Sequence, residues 1–131
     1  MSAASNYLEN KVLDHFLGTA STSAPANVYL ALFTSDPTDA GSGTEVSTSG
    51  TNYSRQAITF SSASGGTTSN SAAVEFSQAT GSGFGTVTHF GIYDASSAGN
   101  LLFHGALTTS KTIDAGDVFK ISSTNLSITV A

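Results

Sequence analysis

Histidine is the residue type in this chain best suited to bind a metal or to move a proton, and the sequence has three: His15, His89 and His104. Two of them, His89 and His104, fall in neighbouring predicted strands, so their imidazoles could approach each other. A zinc site needs a further protein ligand and hydrogen bonds that orient the ligands. The nearest acidic residues along the chain, Asp14 and Asp94, stand at no recognised ligand spacing. The sequence therefore predicts no metal site. It predicts instead that the histidines are half-buried or lie at an interface.

Three acidic residues, Asp36, Asp39 and Glu45, share one loop and raise the question of a calcium site. The EF-hand arrangement, with alternating acidic ligands, a central glycine and a terminal glutamate, is not met. Two aspartates beside Pro37 are more typical of a turn in which an aspartate side chain binds nearby backbone N–H groups. We therefore expect a turn rather than a calcium site, and we expect no cofactor.

Nucleophilic and phosphate-binding motifs are also missing from the sequence. The Gly-x-Ser-x-Gly elbow of serine hydrolases does not occur, and the nearest strings, at 41–43 and 81–83, lie in loops with no following helix. The glycine-rich stretch 81–85 lacks the lysine of a phosphate-binding loop. The acidic pair Glu75 and Asp94 lies on different predicted strands at an unknown separation, whereas glycosidases need a defined one. We therefore predict that the protein is not an enzyme and has no catalytic residue.

The overall composition limits the function further. Of 131 residues, nine are acidic and four are basic, so charged residues make up 10% of the chain and its formal net charge is −5. An average soluble domain has roughly 25% charged residues. Four basic residues cannot form the positive surface that nucleic-acid binding requires, so we expect no nucleic-acid partner. Residues 1–5 lack the regions of a signal peptide, and no apolar stretch is long enough to span a membrane, so no membrane partner is expected either.

One helix is predicted, at residues 6–17. Asn6 and Glu9 have the spacing of a capping box, and Gly18 supplies a C-terminal stop. Five apolar residues recur at helical spacing and form one stripe; they are Leu8, Val12, Leu13, Phe16 and Leu17. The favoured interpretation is a helix that lies across the end of a β core, and the alternative is a helix that docks on another subunit. If the helix docks, these five residues carry the partner contact.

The rest of the chain has the pattern of short strands. Residues 28–33 form a continuous apolar run, which is typical of a strand buried on both faces. Turns rich in Gly, Ser and Asn separate the later segments; the predicted strands are 28–33, 53–60, 73–76, 86–93, 101–107, 118–121 and 126–130. The sequence therefore predicts a mainly β fold: a single antiparallel β-sandwich, jelly-roll-like, with one short N-terminal α-helix. We expect a single domain of residues 1–131, with the helix at 6–17 and the sandwich at 28–131.

Five blocks of the sequence together resemble a known family: 6–15, 28–37, 53–60, 88–94 and 102–107. In this order they resemble small virion proteins of tailed bacteriophages, a family commonly labelled phage tail fibre proteins. The resemblance covers nearly the whole chain, and the shared order of the blocks is more specific than any one of them. It implies a structural protein of the virion, made in the host cytoplasm, and it brings no catalytic or metal-binding residue with it.

The compact size bears on where in the virion such a protein would sit. A long fibre usually has coiled-coil heptads or short repeats in its shaft, and this chain has neither. We therefore expect a capsid decoration (cement) protein that stabilises the particle through contacts between subunits. The alternative is a small tail fibre or tail-tip subunit, with binding to host-surface glycans as a further option. The expected partners are copies of the same chain, as a dimer or trimer, and other virion proteins such as the major capsid protein or tail proteins.

Overall fold

The structure of the protein, a computed structural model, describes residues 2–130. The first and last residues of the predicted domain, Met1 and Ala131, lie outside the described residues. The described chain forms one helix and nine strands; in chain order they are β1 (Ser2–Ala4), α1 (Asn6–Phe16), β2 (Val28–Phe33), β3 (Gln56–Ile58), β4 (Thr67–Ser69), β5 (Val74–Glu75), β6 (Gly85–Tyr93), β7 (Leu101–Ile113), β8 (Lys120–Ile121) and β9 (Ser127–Thr129).

The largest element is an antiparallel sheet of five strands in the order β1-β7-β6-β2-β3. Its centre is the β6–β7 hairpin, where Phe90 lies opposite Gly105 and Ile92 lies opposite Phe103. Strand β2 pairs with β6 on the other side, with Leu32 opposite Phe90. Two antiparallel pairs, β4 with β9 and β5 with β8, form separate two-stranded sheets. The prediction of a mainly β fold with antiparallel sheets and one helix is confirmed.

The main core lies against one face of the five-stranded sheet. Alternate residues of a strand point to the same face, and on that face Leu30, Leu32 and Ile92 are buried. They belong to one apolar cluster with residues of the two small sheets and the connecting loops, including four aromatic rings; these are Tyr53, Phe76, Phe84 and Phe119, with ring centroids 5.5–6.5 Å apart where they pair. The two layers therefore form a sandwich, which is open at the edge that carries β1 and β7.

The opposite face of the sheet is covered by a smaller cluster, in which Phe33 and Tyr93 stack with centroids 6.3 Å apart. Gly91 lies among these side chains, and a Cβ atom there would come within 2.9 Å of Leu101 Cδ1 and 3.0 Å of the Phe33 ring. Side chains of the two neighbouring strands, β2 and β7, therefore pack too closely for any residue but glycine at this position, and this explains why a glycine interrupts the apolar run of β6.

Two strands have no signal in the apolar pattern. Strand β1 reads Ser-Ala-Ala and pairs with β7 through Ala3 and His104, while β4 lies in the Ser- and Gly-rich stretch that we expected to be loop. The bounds also differ, since the strand predicted at 53–60 is ordered as a strand over Gln56–Ile58 and the one predicted at 101–107 continues to Ile113. Backbone pairing needs no apolar side chains, which is why polar segments can join a sheet.

Candidate functional site

The N-terminal end of α1 is fixed to the sheet by Ser5. Its backbone N–H donates to the carbonyl of Leu102 at 2.9 Å, and its buried hydroxyl donates to the carbonyl of Leu101. The same hydroxyl accepts from the backbone N–H of Leu8 at 3.2 Å, so Ser5 is the N-cap of the helix. The cap predicted at Asn6 is therefore wrong by one residue. Gly18 has a φ of +84°, as the predicted helix stop requires.

The C-terminal half of α1 projects from the body of the protein. Residues 12–27 are all exposed, and the stripe residues Val12, Leu13, Phe16 and Leu17 are 44%, 55%, 77% and 75% exposed. Leu8 alone in the stripe is half-buried, and no residue of the helix is fully buried. The favoured interpretation, a helix lying across the end of the core, is therefore wrong, because the apolar stripe does not pack on the chain's own core. Its role in partner docking stays a prediction. We call residues 12–27 the arm.

Beside the arm the open edge of the sandwich forms an apolar groove of about 1270 Å³. One wall is α1, with Leu8, Val12 and Leu13, and the other walls are strands β7, β8 and β9. Aromatic side chains of the core reach its floor, among them Phe103 and Phe119. Small-molecule sites usually measure about 300–1,000 Å³ and are more enclosed. The size and shape of the groove fit a segment of polypeptide better than a small ligand.

Three charged residues line this groove: Glu9 on the helix wall, and Lys111 and Lys120 on the strand walls. Within residues 2–130 the ion pairs involve Arg55 and His104, so none of these three has an opposite charge within 4.0 Å. Lys111 lies opposite the buried Val87 and therefore on the core-facing side of β7, at a point that the second layer leaves uncovered. The groove thus carries opposite charges on opposite walls.

The strand histidines lie on the same face of the sheet, but each has a different partner. His89 lies opposite Ala106 and His104 lies opposite Gly91. A ring nitrogen of His89 is hydrogen-bonded to Thr88 Oγ1 at 2.8 Å, whereas His104 Nε2 lies 2.9 Å from Asp39 Oδ1. Residues 2–130 contain no group of three or more histidine or acidic side chains that could hold a metal ion.

The three acidic residues of the predicted turn do not share one set of partners. Asp36 Oδ1 accepts from the backbone N–H of Thr38 at 2.9 Å, which is the expected aspartate turn. Asp39 contacts His104, and Glu45 binds Arg55. Asp36 Oδ1 also lies 3.9 Å from His104 Nδ1, so two of the three carboxylates approach one imidazole, while Glu45 lies apart from them. The three therefore do not converge on a common point.

A polar cluster around Arg55 was not anticipated from the sequence. Arg55 donates to both carboxylate oxygens of Glu45, at 2.9 and 2.8 Å, and its Cζ lies 3.7 Å from the centroid of the Tyr93 ring. Its remaining nitrogen donates to the carbonyls of Ala95 and Ala98, at 3.1 and 2.7 Å. One guanidinium therefore joins the β2–β3 connection to the turn between β6 and β7. The available signal in the sequence for this cluster was Arg55 itself, one of the four basic residues of the chain.

Tyr53 extends this cluster into the core. Its hydroxyl donates to Glu45 Oε1 at 2.7 Å and accepts from the backbone N–H of Leu32 at 3.0 Å. Burial, reinforced by the negative charge of Glu45, raises the pKa of Tyr53 far above its ordinary value. Burial also raises the pKa of Tyr93, although the charge of Arg55 opposes this. Burial would lower the pKa of Arg55, but the hydrogen bond and charge of Glu45 outweigh it and raise that pKa. Both tyrosines stay neutral and Arg55 stays charged, which suits a structural clamp.

Exposed aromatic rings suited to stacking on sugars are scarce. Of the four tyrosines, Tyr53 and Tyr93 are buried and Tyr29 is half-buried. Tyr7 is exposed and borders a smaller cleft of about 410 Å³ near the β6–β7 turn. In residues 2–130 no helix is both long and apolar enough to cross a membrane.

Comparison with known protein families matches the chain to one family of phage proteins. The model of one family, described as Gp80, podophage GP4 fiber I protein gp80, matches residues 3–129. The chain belongs to this family. The resemblance to small virion proteins of tailed phages, drawn from five sequence blocks, is confirmed, and the chain is a structural protein of a phage virion. No curated protein matches the chain.

Proposed function

We propose that this protein is a non-enzymatic subunit of a fibre on a podophage-type virion, joined to its neighbours through the arm and the groove. The observation that carries the proposal is the family match, which runs over residues 3–129 and whose description names a fiber protein. It favours the alternative of our sequence analysis, a small tail fibre subunit, over capsid decoration, for which the family description gives no specific support.

The contacts of the polar residues support a structural role. Arg55 with Glu45 and His104 with Asp39 both connect loops to the sheet. Each of these groups is engaged by hydrogen bonds that stabilise the fold, whereas a catalyst needs groups directed at a substrate. The surface is rich in hydroxyl groups, and the large exposed apolar side chains concentrate on α1 and its C-cap, with Val12, Leu13, Phe16 and Leu17. Contiguous exposed apolar surface typically marks a contact with another molecule.

Location and copy number in purified virions test the proposal. Immunogold labelling with antibodies against this chain should mark an appendage at the tail, and quantitative mass spectrometry should give a few to a few dozen copies per particle. Virions from a strain with the gene deleted provide the control, and they should lack both the label and the appendage. Hundreds of copies per particle, with gold distributed over the head, would overturn the fibre assignment and favour capsid decoration.

A further inference from the structure

The arm and the groove are two exposed apolar surfaces of the same molecule. Phe16 and Leu17 are the most exposed apolar side chains of the stripe, and neither lines the groove of its own copy. The hydrogen bonds at the end of the helix are local, from Leu17 N–H to Leu13 and from Thr19 N–H to Asp14. Phe16 and Leu17 therefore have little packing within their own copy that would have to be broken before they bound elsewhere.

Charge complementarity points to another copy of the chain as the occupant of the groove. On α1, Glu9 falls inside the apolar stripe, because at 100° per residue it lies between Phe16 and Leu13 around the helix. An incoming segment with an apolar stripe and one carboxylate would pack its stripe on the apolar floor of the groove and pair its carboxylate with Lys111. The two lysines of the groove differ in their cross-strand neighbours. Lys120 lies opposite the acidic Glu75 on the β5–β8 pair, whereas Lys111 lies opposite the apolar Val87 on the β6–β7 pair. The α1 stripe has the required composition.

We propose that the α1 stripe of one copy packs into the groove of a second copy, with Glu9 of each copy facing Lys111 of the other. In a two-fold arrangement the same patch serves both subunits, so each contact is made twice. The apolar area of Val12, Leu13 and Phe16 supplies the attraction, and the charge pair fixes the register. This inference rests on the proposed structural function and names the contact through which the subunits join.

The apolar part of the contact is tested by sedimentation equilibrium of the purified full chain over a range of concentrations. The wild-type protein should self-associate, and Leu13→Asp with Phe16→Asp should leave a monomer. Both side chains are exposed, so the double variant should keep the wild-type near-ultraviolet circular dichroism and melting temperature when each is measured on monomer. Val118→Asp is the matched control, since Val118 is an exposed apolar residue that does not line the groove, and it should associate as the wild type does.

The charge pair is tested by mixing two singly substituted proteins. Glu9→Lys alone places two lysines at each contact, and Lys111→Glu alone places two glutamates there, so each variant should associate about tenfold more weakly than the wild type. In a mixture of the two, every contact between unlike copies has one lysine and one glutamate, so association should return. Repulsion within a single copy could not be relieved by mixing. Asp14→Lys is the control: it changes the net charge by the same amount as Glu9→Lys on the opposite side of α1, and it should leave association unchanged.

A wild-type protein that stays monomeric would overturn the inference, as would a Leu13→Asp/Phe16→Asp variant that still associates. A mixture of Glu9→Lys and Lys111→Glu proteins that associates no better than either one alone would also overturn it. These outcomes are separate from the fate of the proposed function. A monomer found in the tail appendage would leave the fibre assignment intact, and a self-associating protein found over the head would leave the contact intact.

Discussion

Replacing Glu45 with glutamine should destabilise the protein by about 2–3 kcal/mol, although the change removes one charge and almost no volume. The carboxylate accepts three hydrogen bonds, one from Tyr53 at 2.7 Å and two from Arg55 at 2.9 and 2.8 Å. A glutamine amide presents an NH₂ group to one of these donors, and it leaves the guanidinium without its counter-charge. The Arg55 side chain is 8% exposed, so water cannot replace what is lost.

The magnitude follows from the surroundings of the pair. Removing one partner of a fully buried ion pair costs about 3–5 kcal/mol. Glu45 is 26% exposed, and Arg55 keeps two carbonyl acceptors and the face of Tyr93, so the cost should fall below that range. For a domain of this size, about 2–3 kcal/mol corresponds to a melting temperature lower by roughly 10 °C.

The assay is equilibrium unfolding in guanidinium chloride followed by circular dichroism at one fixed protein concentration. Glu75→Gln is the matched control: Glu75 is exposed and has no ion pair within 4.0 Å, so this substitution should cost less than about 0.5 kcal/mol. A double variant, Glu45→Gln with Arg55→Met, should cost less than the sum of its two single changes, since it removes the stranded charge as well. Equal effects of Glu45→Gln and Glu75→Gln, or strict additivity in the double variant, would refute this account of the cluster.

Two further predictions concern single side chains. Because burial raises the pKa of Tyr53 in the folded state, the unfolded chain releases that proton first, near the ordinary value of about 10. Stability should therefore be intact below about pH 10 and fall as the pH rises above it, by up to about 1.4 kcal/mol per pH unit for each such tyrosine. Tyr53→Phe should make this decline shallower in unfolding titrations between about pH 10 and about pH 11.5, and an unchanged slope would contradict the prediction. Ser5→Ala should cost about 2 kcal/mol, since it removes the helix cap and the bond to the carbonyl of Leu101. Exposed Ser96→Ala is the control, and equal stability of the two variants would count against Ser5 as the anchor of α1.

Local patterns in the sequence were sufficient for the elements that carry apolar side chains at a regular period. Strand β2 has the predicted bounds, and the helix ends within one residue of its predicted end, just before Gly18, since both depend on residues that are neighbours in the chain. The aspartate turn at Asp36 was predictable for the same reason. The family, too, was accessible from the order of five sequence blocks.

Tertiary structure decided what the local patterns left open. An apolar stripe on a helix specifies a contact but not its partner, so the sequence could not show that Val12 to Leu17 would stand away from the core. The pairing of Glu45 with Arg55 joins residues ten positions apart and then reaches the turn at Ala98. Such contacts depend on how the sheet brings distant loops together, and periodicity carries no information about that. The sequence determined the class of fold and the structural family, and the arrangement of the layers determined the exposed arm, the open groove and the charges that line it.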